Sequence, residues 1–242
     1  LSISVLVFVA VNVCIGTVKI SLEDIIASIG GGQINNSRIL WDIRMPRTMA
    51  ALILGGALAL AGYLLQTFFH NPIAGPFVLG ISSGAKMVVA LVMVFLMGQA
   101  IRVSSLTLIA AAFLGAMISM GFVLLMSRKV NNMSMLVVSG VMIGYICSAV
   151  TELVVTFAND AEIVNLHNWS RGSFSGMTWD NVIVMAVVIT VTFVIVFFMA
   201  KPLSAYQLGE SYAQNMGVNI RVLRVALVIL SSILSACIVA FA

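Results

Sequence analysis

Few side chains in this sequence could do chemistry, and their types and spacing decide what that chemistry could be. Gly80-Ile81-Ser82-Ser83-Gly84 fits G-x-S-x-G, the turn that raises a nucleophilic serine in a hydrolase. Such a serine needs a strand–turn–helix setting with an acid and a histidine to follow. Here the pentapeptide lies between two apolar runs, so a Ser/Gly turn that starts a helix accounts for it better. Gly80 to Lys86 also has the outline of a phosphate loop, but that loop requires Gly-Lys-Ser/Thr in succession. The chain reads Gly84-Ala85-Lys86-Met87 instead, so it is not an ATP site. His70 and His167 stand in separate loops and HExxH does not occur. Cys14, Cys147 and Cys237 fall inside apolar runs without CxxC spacing, where thiols behave as small hydrophobes. Neither a metal-ligand set, a disulfide framework nor a catalytic residue is expected. Asn35-Asn36-Ser37 and Asn168-Trp169-Ser170 match the glycosylation triplet, which short polar loops produce by chance.

The elements around these residues are set by composition. Of 242 residues, 62% are hydrophobic and 8% charged, against about a quarter charged in soluble domains. Too few polar side chains remain to cover a water-exposed surface, whereas a bilayer makes apolar residues the correct surface. The net charge of +4 sits in short gaps between apolar runs, facing headgroups or partners, and does not suggest nucleic acid. The 15 Met residues are spread along these runs as packing and lipid contact. A span needs roughly 20 apolar residues. Seven segments are predicted to span: 1–18, 48–69, 83–97, 105–127, 135–158, 181–200 and 224–242. The 83–97 segment is the shortest, with Lys86 in its first turn. Small residues at helical spacing, in Gly55 to Gly62 and at Gly140 and Gly144, allow close helix approach and predict a compact bundle.

Three connecting segments are unusual. Residues 70–84 are rich in Pro, Gly and Ser, and irregular backbone at membrane depth survives only when buried in protein or lining a wet cavity. Residues 159–180 are polar, with Trp169 and Trp179, as in an interfacial segment. Residues 201–223 could form a short amphipathic helix outside the bilayer. Basic residues divide almost evenly between alternate loops, so the positive-inside rule gives no orientation. Glu152 lies inside the 135–158 span, and an ionisable group there is a functional candidate, facing a wet vestibule or snorkelling outward. Apolar runs at Leu1 and Ala242 suggest a piece of a longer chain, lacking sequence at both ends.

Several ordered motifs carry a resemblance. Arg44-Met45-Pro46-Arg47-Thr48 leads into a small-residue run, then Gln66 and Asn71-Pro72-Ile73-Ala74-Gly75-Pro76, then Leu79-Gly80-Ile81-Ser82-Ser83-Gly84-Ala85. Ser139-Gly140-Val141, Trp169 with Gly172-Ser173, Gly176-Met177-Thr178-Trp179, and Leu208-Gly209-Glu210 with Ala213 and Met216-Gly217-Val218 follow in order. From about residue 40 to the end the chain resembles the FecCD-type permeases of ABC importers for siderophores, haem and cobalamin.

That resemblance implies an all-α polytopic membrane protein of the type II ABC importer fold. Residues 1–242 would be one transmembrane permease domain with seven of ten spans, the last three missing. It further implies a bacterial cytoplasmic (inner) membrane location with a cytoplasmic N-terminus. Segments 19–47, 98–104 and 159–180 would then face outward, and 70–82, 128–134 and 201–223 the cytoplasm. Implied partners are a second permease subunit, two ATP-binding-cassette subunits that hold ATP and Mg, and an extracytoplasmic substrate-binding protein. No cofactor would bind this chain, and the cargo would be an iron–siderophore or a related chelate. Arg44 and Arg47, three apart and so on one helix face, would dock acidic residues of the binding protein. Residues 204–217, with Leu208, Gly209, Glu210, Ala213 and Gly217, would be a coupling helix in a groove of the ATPase. Asn71, Pro72, Ile73, Asn132 and Ser134 would approach the inner mouth as a gate, with Glu152 on the pathway. Gly80, Ser82, Ser83 and Gly84 would form the helix-start turn. The competing class is a secondary transporter or channel, which would show inverted repeats and intramembrane coupling charges; Glu152 is the single strong candidate for such a charge.

Overall fold

The computed structural model describes residues 2–16, 18, 38–72, 74–97, 104–127 and 133–241. Among them all regular structure is helical. The helices are α1 (Ser2–Cys14), α2 (Met45–Phe69), α3 (Ile81–Val92), α4 (Ser105–Ser127), α5 (Met133–Val155), α6 (Asp160–Ser170), α7 (Trp179–Phe198), α8 (Ala200–Gln207), α9 (Glu210–Asn215) and α10 (Ile220–Phe241). Two compact units emerge, residues 1–55 with 174–186, and residues 56–173 with 187–242.

Among the described residues, five helices are long and apolar enough to cross a bilayer: Ile39–Phe69, Ser105–Met126, Met135–Val155, Trp179–Phe198 and Ile220–Phe241. Two shorter apolar helices, Ile3–Cys14 and Ile81–Leu96, occupy the positions of the predicted 1–18 and 83–97 spans. All seven predicted segments are therefore helices, with corrected ends. The second begins not at Thr48 but with a π-helical stretch, Ile39–Arg44, that runs straight into α2. Its charges had suggested a loop. Pro46 lies within this continuous helix and cannot donate to its ladder; the Trp41 carbonyl, five residues earlier, accepts instead from Trp179 Nε1 at 2.8 Å. The 159–180 segment, expected as a polar interfacial stretch, contains the 11-residue helix α6. A capping box starts it: Asn159 caps the first turn while its own N–H donates to Glu162 Oε2 at 3.0 Å, which satisfies donors the helix leaves open. Residues 204–217 form two short helices, α8 and α9, rather than one, because Gly209 breaks the chain at φ +126°.

In the second unit α3 packs against α4, α5 and α10, and α4 also packs against α5 and α10. Glycine permits this closeness. A Cβ added at Gly84 would come within 2.6 Å of the Gly115 carbonyl oxygen, and one at Gly115 within 2.9 Å of Ala85 Cα. Gly80, at φ +72°, turns the chain into α3 and lies against α5, where an added Cβ would stand 2.9 Å from the Gly140 oxygen and 2.8 Å from the Gly144 nitrogen. The small-residue run of α2 behaves differently: Gly55, Gly56 and Gly62 have nothing within 4 Å of the position a Cβ would take. In α10, buried Ser231, Ser232 and Ser235 donate to carbonyls of their own helix. Large apolar side chains such as Phe157, Phe197 and Phe198 remain exposed, as a lipid-facing surface requires.

Gly115→Val is expected to destabilise the fold by about 1–3 kcal/mol through overpacking, whereas Gly121→Val, at a position with open space, is expected to leave it nearly unchanged. Thermal unfolding of the purified protein in detergent, followed by size-exclusion recovery, compares the two; equal melting temperatures would refute the close-crossing account.

Candidate functional site

The segment after α7 turns back on itself through two glycines that other residues could not easily replace, Gly209 at φ +126° and Gly217 at φ +82°. Between them α9 is pinned from below. Ala213 is fully buried. Glu210 pairs with Arg224 at the start of α10 and accepts a hydrogen bond from the Tyr206 hydroxyl at 3.1 Å. Arg224 Nε also reaches that hydroxyl, at 3.5 Å. Burial pushes the Tyr206 phenol above its ordinary value. Burial would also raise the Glu210 carboxyl, but the hydrogen bond and charge of Arg224 outweigh it and hold the group below the usual carboxylate range. Opposite this pinned side, Leu208, Tyr212 and Met216 are 71%, 48% and 64% exposed. All three are large side chains that the rest of the elbow leaves uncovered. Of the residues expected to couple, Glu210 and Ala213 position the elbow, Gly209 and Gly217 shape it, and Leu208 faces out. Tyr212 and Met216 were not singled out in the sequence, and since Gly209 interrupts the helix after Leu208, helical spacing from Leu208 does not lead to them.

The same segment is stitched to the end of α2. Gln207 Nε2 donates to Tyr63 Oη and Thr67 Oγ1, both at 3.1 Å. His70 Nε2 lies 3.4 Å from the Tyr206 carbonyl oxygen, and the two rings are 4.8 Å apart. His70 sits at φ +48° because it ends α2: its N–H bonds to the Thr67 carbonyl and that of Asn71 to the Gln66 carbonyl, which terminates a helix in the left-handed manner usually taken by glycine. Asn71 and Pro72 of the expected gate therefore line one recess of about 340 Å³ with His70 and Gln207. Ile73 and Asn132, and the side chain of Ser134, lie outside the described residues.

Arg44 and Arg47 share a face as their spacing predicts, and both line a cleft of about 550 Å³ with Asn12 and Phe174. Their roles differ. Arg44 is only 9% exposed and donates to the Val13 carbonyl at 2.6 Å, to that of Cys14 at 3.3 Å, and to that of Val18. Val13 and Cys14 close α1, whose last carbonyls the helix leaves unsatisfied, and a cation there also complements the helix dipole, while Val18 lies beyond that end. Arg44, expected to dock acidic residues of a binding protein, has its guanidinium taken up by these backbone carbonyls. Arg47 gives one bond, to the Ser175 carbonyl at 2.7 Å, and its Nε is buried with no partner among the described residues.

Glu152 is exposed on α5, away from the face of Gly140, Gly144, Cys147 and Thr151 that packs inward. Ser83 accepts a 3.5 Å hydrogen bond from Ser148, and Gly80 and Gly84 are packing positions, so the serine–glycine turn joins helices and has no nucleophile elbow around it.

Apolar helices of spanning length joined by polar elbows define a multi-pass membrane protein. Residues 4–242 match the model of the FecCD transport family, and the chain belongs to that family of ABC-transporter permeases, in which ATP hydrolysis belongs to a separate subunit. It is a multi-pass protein of the cytoplasmic membrane. The vitamin B12 import system permease protein BtuC of Salmonella typhi is 34% identical over 231 residues, covering 95% of this chain and 68% of that protein. The Salmonella paratyphi A protein of the same name is 34% identical over 219 residues, covering 90% of this chain; the chain spans 64% of that relative's length. A solved metal-chelate type ABC transporter in an inward-facing conformation superposes with a TM-score of 0.84 at 25% identity, over 99% of this chain and 73% of that one.

Above the ordinary carboxylate range Glu210 is charged in both folded and unfolded chains, and its pairing contributes fully to stability. As pH falls through the depressed folded value, that contribution is lost. Glu210→Gln is therefore expected to flatten the acid limb of melting temperature against pH. The effect should stay below about 1 kcal/mol, since both partners are more than a third exposed. An unchanged acid limb would exclude the pairing.

Proposed function

We propose that the chain forms the transmembrane pathway of an ATP-driven importer of bulky metal chelates, a class that includes ferric siderophores, haem and cobalamin. The observation that carries this is the elbow at 208–217, an apolar exposed edge on a pinned, glycine-hinged support outside the spans. Such an edge suits a groove in a soluble partner, and in this family the fitting partner is the ATP-binding-cassette subunit that holds ATP and Mg. Two such subunits and a second permease copy or paralogue would complete the pathway. An extracytoplasmic binding protein would deliver the cargo near Arg47, whose incompletely bonded guanidinium is suited to a carboxylate. The stitching of Gln207 and His70 places the Asn71-Pro72 turn next to the elbow, where a gate could follow ATPase movement.

Tyr212→Ser with Met216→Ser is expected to weaken co-purification of the ATPase by at least about tenfold, equivalent to about 1.4 kcal/mol, while Gln214→Ala on the same helix changes little. Undiminished ATPase recovery in the double variant would remove the elbow from the docking surface. ATP-dependent uptake into proteoliposomes tests the transport reading itself. In the same assay Glu152→Gln is expected to alter the uptake rate or the range of chelates accepted; identical rates and range would sink a pathway role for that carboxylate.

A further inference from the structure

His70 stands where two helices end together. It closes α2, and its Nε2 lies 3.4 Å from the Tyr206 carbonyl oxygen of α8. That oxygen also accepts the Gly209 N–H at 3.1 Å, so it is the carbonyl that closes α8 at the hinge of the elbow. The imidazole is exposed to water and can exchange its proton freely, yet its place is fixed. A φ of +48° is kept by a residue with a side chain only where its surroundings hold it. Here the fully buried Tyr206 lies against it, with ring centroids 4.8 Å apart.

The charges around this ring are few. Tyr63 of α2 shares its recess, and Tyr206 of α8 makes the contact. Behind Tyr206 stands Glu210 of α9, near enough for its carboxylate to interact with a charge on His70. Arg224 of α10 is held there by Glu210 and by the Tyr206 hydroxyl. Lys201 and Arg221 are exposed and do not line the recess.

A neutral imidazole has one donor nitrogen and one acceptor; with the acceptor toward Tyr206, two lone pairs meet. A protonated ring donates from both nitrogens and makes a charge-assisted bond to the carbonyl. It also brings positive charge to the negative ends of two helix dipoles. At 3.4 Å the contact is at the long end of the hydrogen-bond range and has room to shorten. The bonds from Gln207 to Tyr63 and Thr67 involve no group that changes charge near neutral pH.

We propose that His70 is a proton-sensitive positioning residue: charged, it locks the Asn71-Pro72 turn to the elbow, and neutral, it lets the two move apart. Histidine side chains change charge between about pH 5 and 8, so movement at the elbow reaches the turn more fully at the acid end of that range. This rests on the coupling role proposed above for the elbow and adds a regulation to it.

The test uses the whole permease–ATPase complex in nanodiscs and needs no cargo. Hydrogen–deuterium exchange of residues 71–80 is followed with and without a non-hydrolysable ATP analogue, at about pH 6 and about pH 8, within the span where histidine titrates. Exchange times are scaled for the chemical rate, and bound nucleotide is counted in each sample. The nucleotide is expected to change exchange at the turn at least about threefold more at the lower pH, as a charge-assisted bond roughly twice as strong as a neutral one allows. His70→Asn, which suits the same left-handed backbone, is expected to remove the pH dependence. His70→Arg should keep the full response at the higher pH, and His167→Asn, at the other histidine of the chain, should change nothing. If His70→Arg does not assemble, His70→Asn alone decides. A response that is equal at both pH values, absent at both, or still pH-dependent in His70→Asn overturns the proposal. Recovery of the ATPase is measured on the same samples: with the complex intact those results refute the proton-sensitive tie alone, whereas a complex that does not form refutes the docking role of the elbow.

Discussion

Helices in lipid gain nothing by hiding apolar surface from one another, because the acyl chains are as apolar as leucine. Cohesion must come from contact at short range, and in the second unit that contact is made where glycine faces backbone. Gly84 meets Gly115 at the crossing of α3 and α4, and Gly80 lies against Gly140 and Gly144 of α5. The consequences are positional. α3 is too short to cross a bilayer unaided, yet it is clamped on two sides, so the turn before it and a recess beside it, lined by Ser82, Lys86 and Arg171 among others, are held at a fixed place. Ser82 and Lys86 owe their exposure to that recess to glycines that have no chemistry of their own.

The elbow shows the complementary device on the polar side. There water is available and charge can be used, so α9 is held by Glu210 and Arg224 and by the buried methyl of Ala213 rather than by glycine contact. Its outer edge is left apolar. The elbow and the Asn71-Pro72 turn share Gln207 and His70 as common partners, so a displacement of either loads hydrogen bonds to the other.

What the sequence disclosed depended on whether the determining forces are local. The 105–127 and 135–158 spans were legible because run length and bilayer thickness decide them. The start of the second span was not, since Arg44 and Arg47 suggested solvent. Spacing showed correctly that the two share a face, but a periodic pattern cannot say that the carbonyls at the end of α1 would claim one of them. The break at Gly209 was hidden in a polar stretch where a glycine is unremarkable until φ is known. Gly55 and Gly56 looked like the stronger packing motif, and the closest contacts lie instead at Gly84 and Gly115, which are single glycines among larger residues. The ordered loop motifs were legible as a family pattern, and the family match agrees with them. That Lys86 and Arg171 line one recess has no sequence signature at all.

The serines of α10 have one further consequence. Ser231 donates to the Val228 carbonyl at 2.9 Å and Ser235 to that of Ser231 at 2.6 Å, and Ser232 also bonds to Val228. Each hydroxyl is satisfied within its own helix, so these buried polar groups create no rungs across to α4. The seam of α10 against its neighbours is thus held by shape and dispersion contact instead of by hydrogen bonds. α10 therefore keeps its buried polar groups within itself and meets α4 through close packing alone.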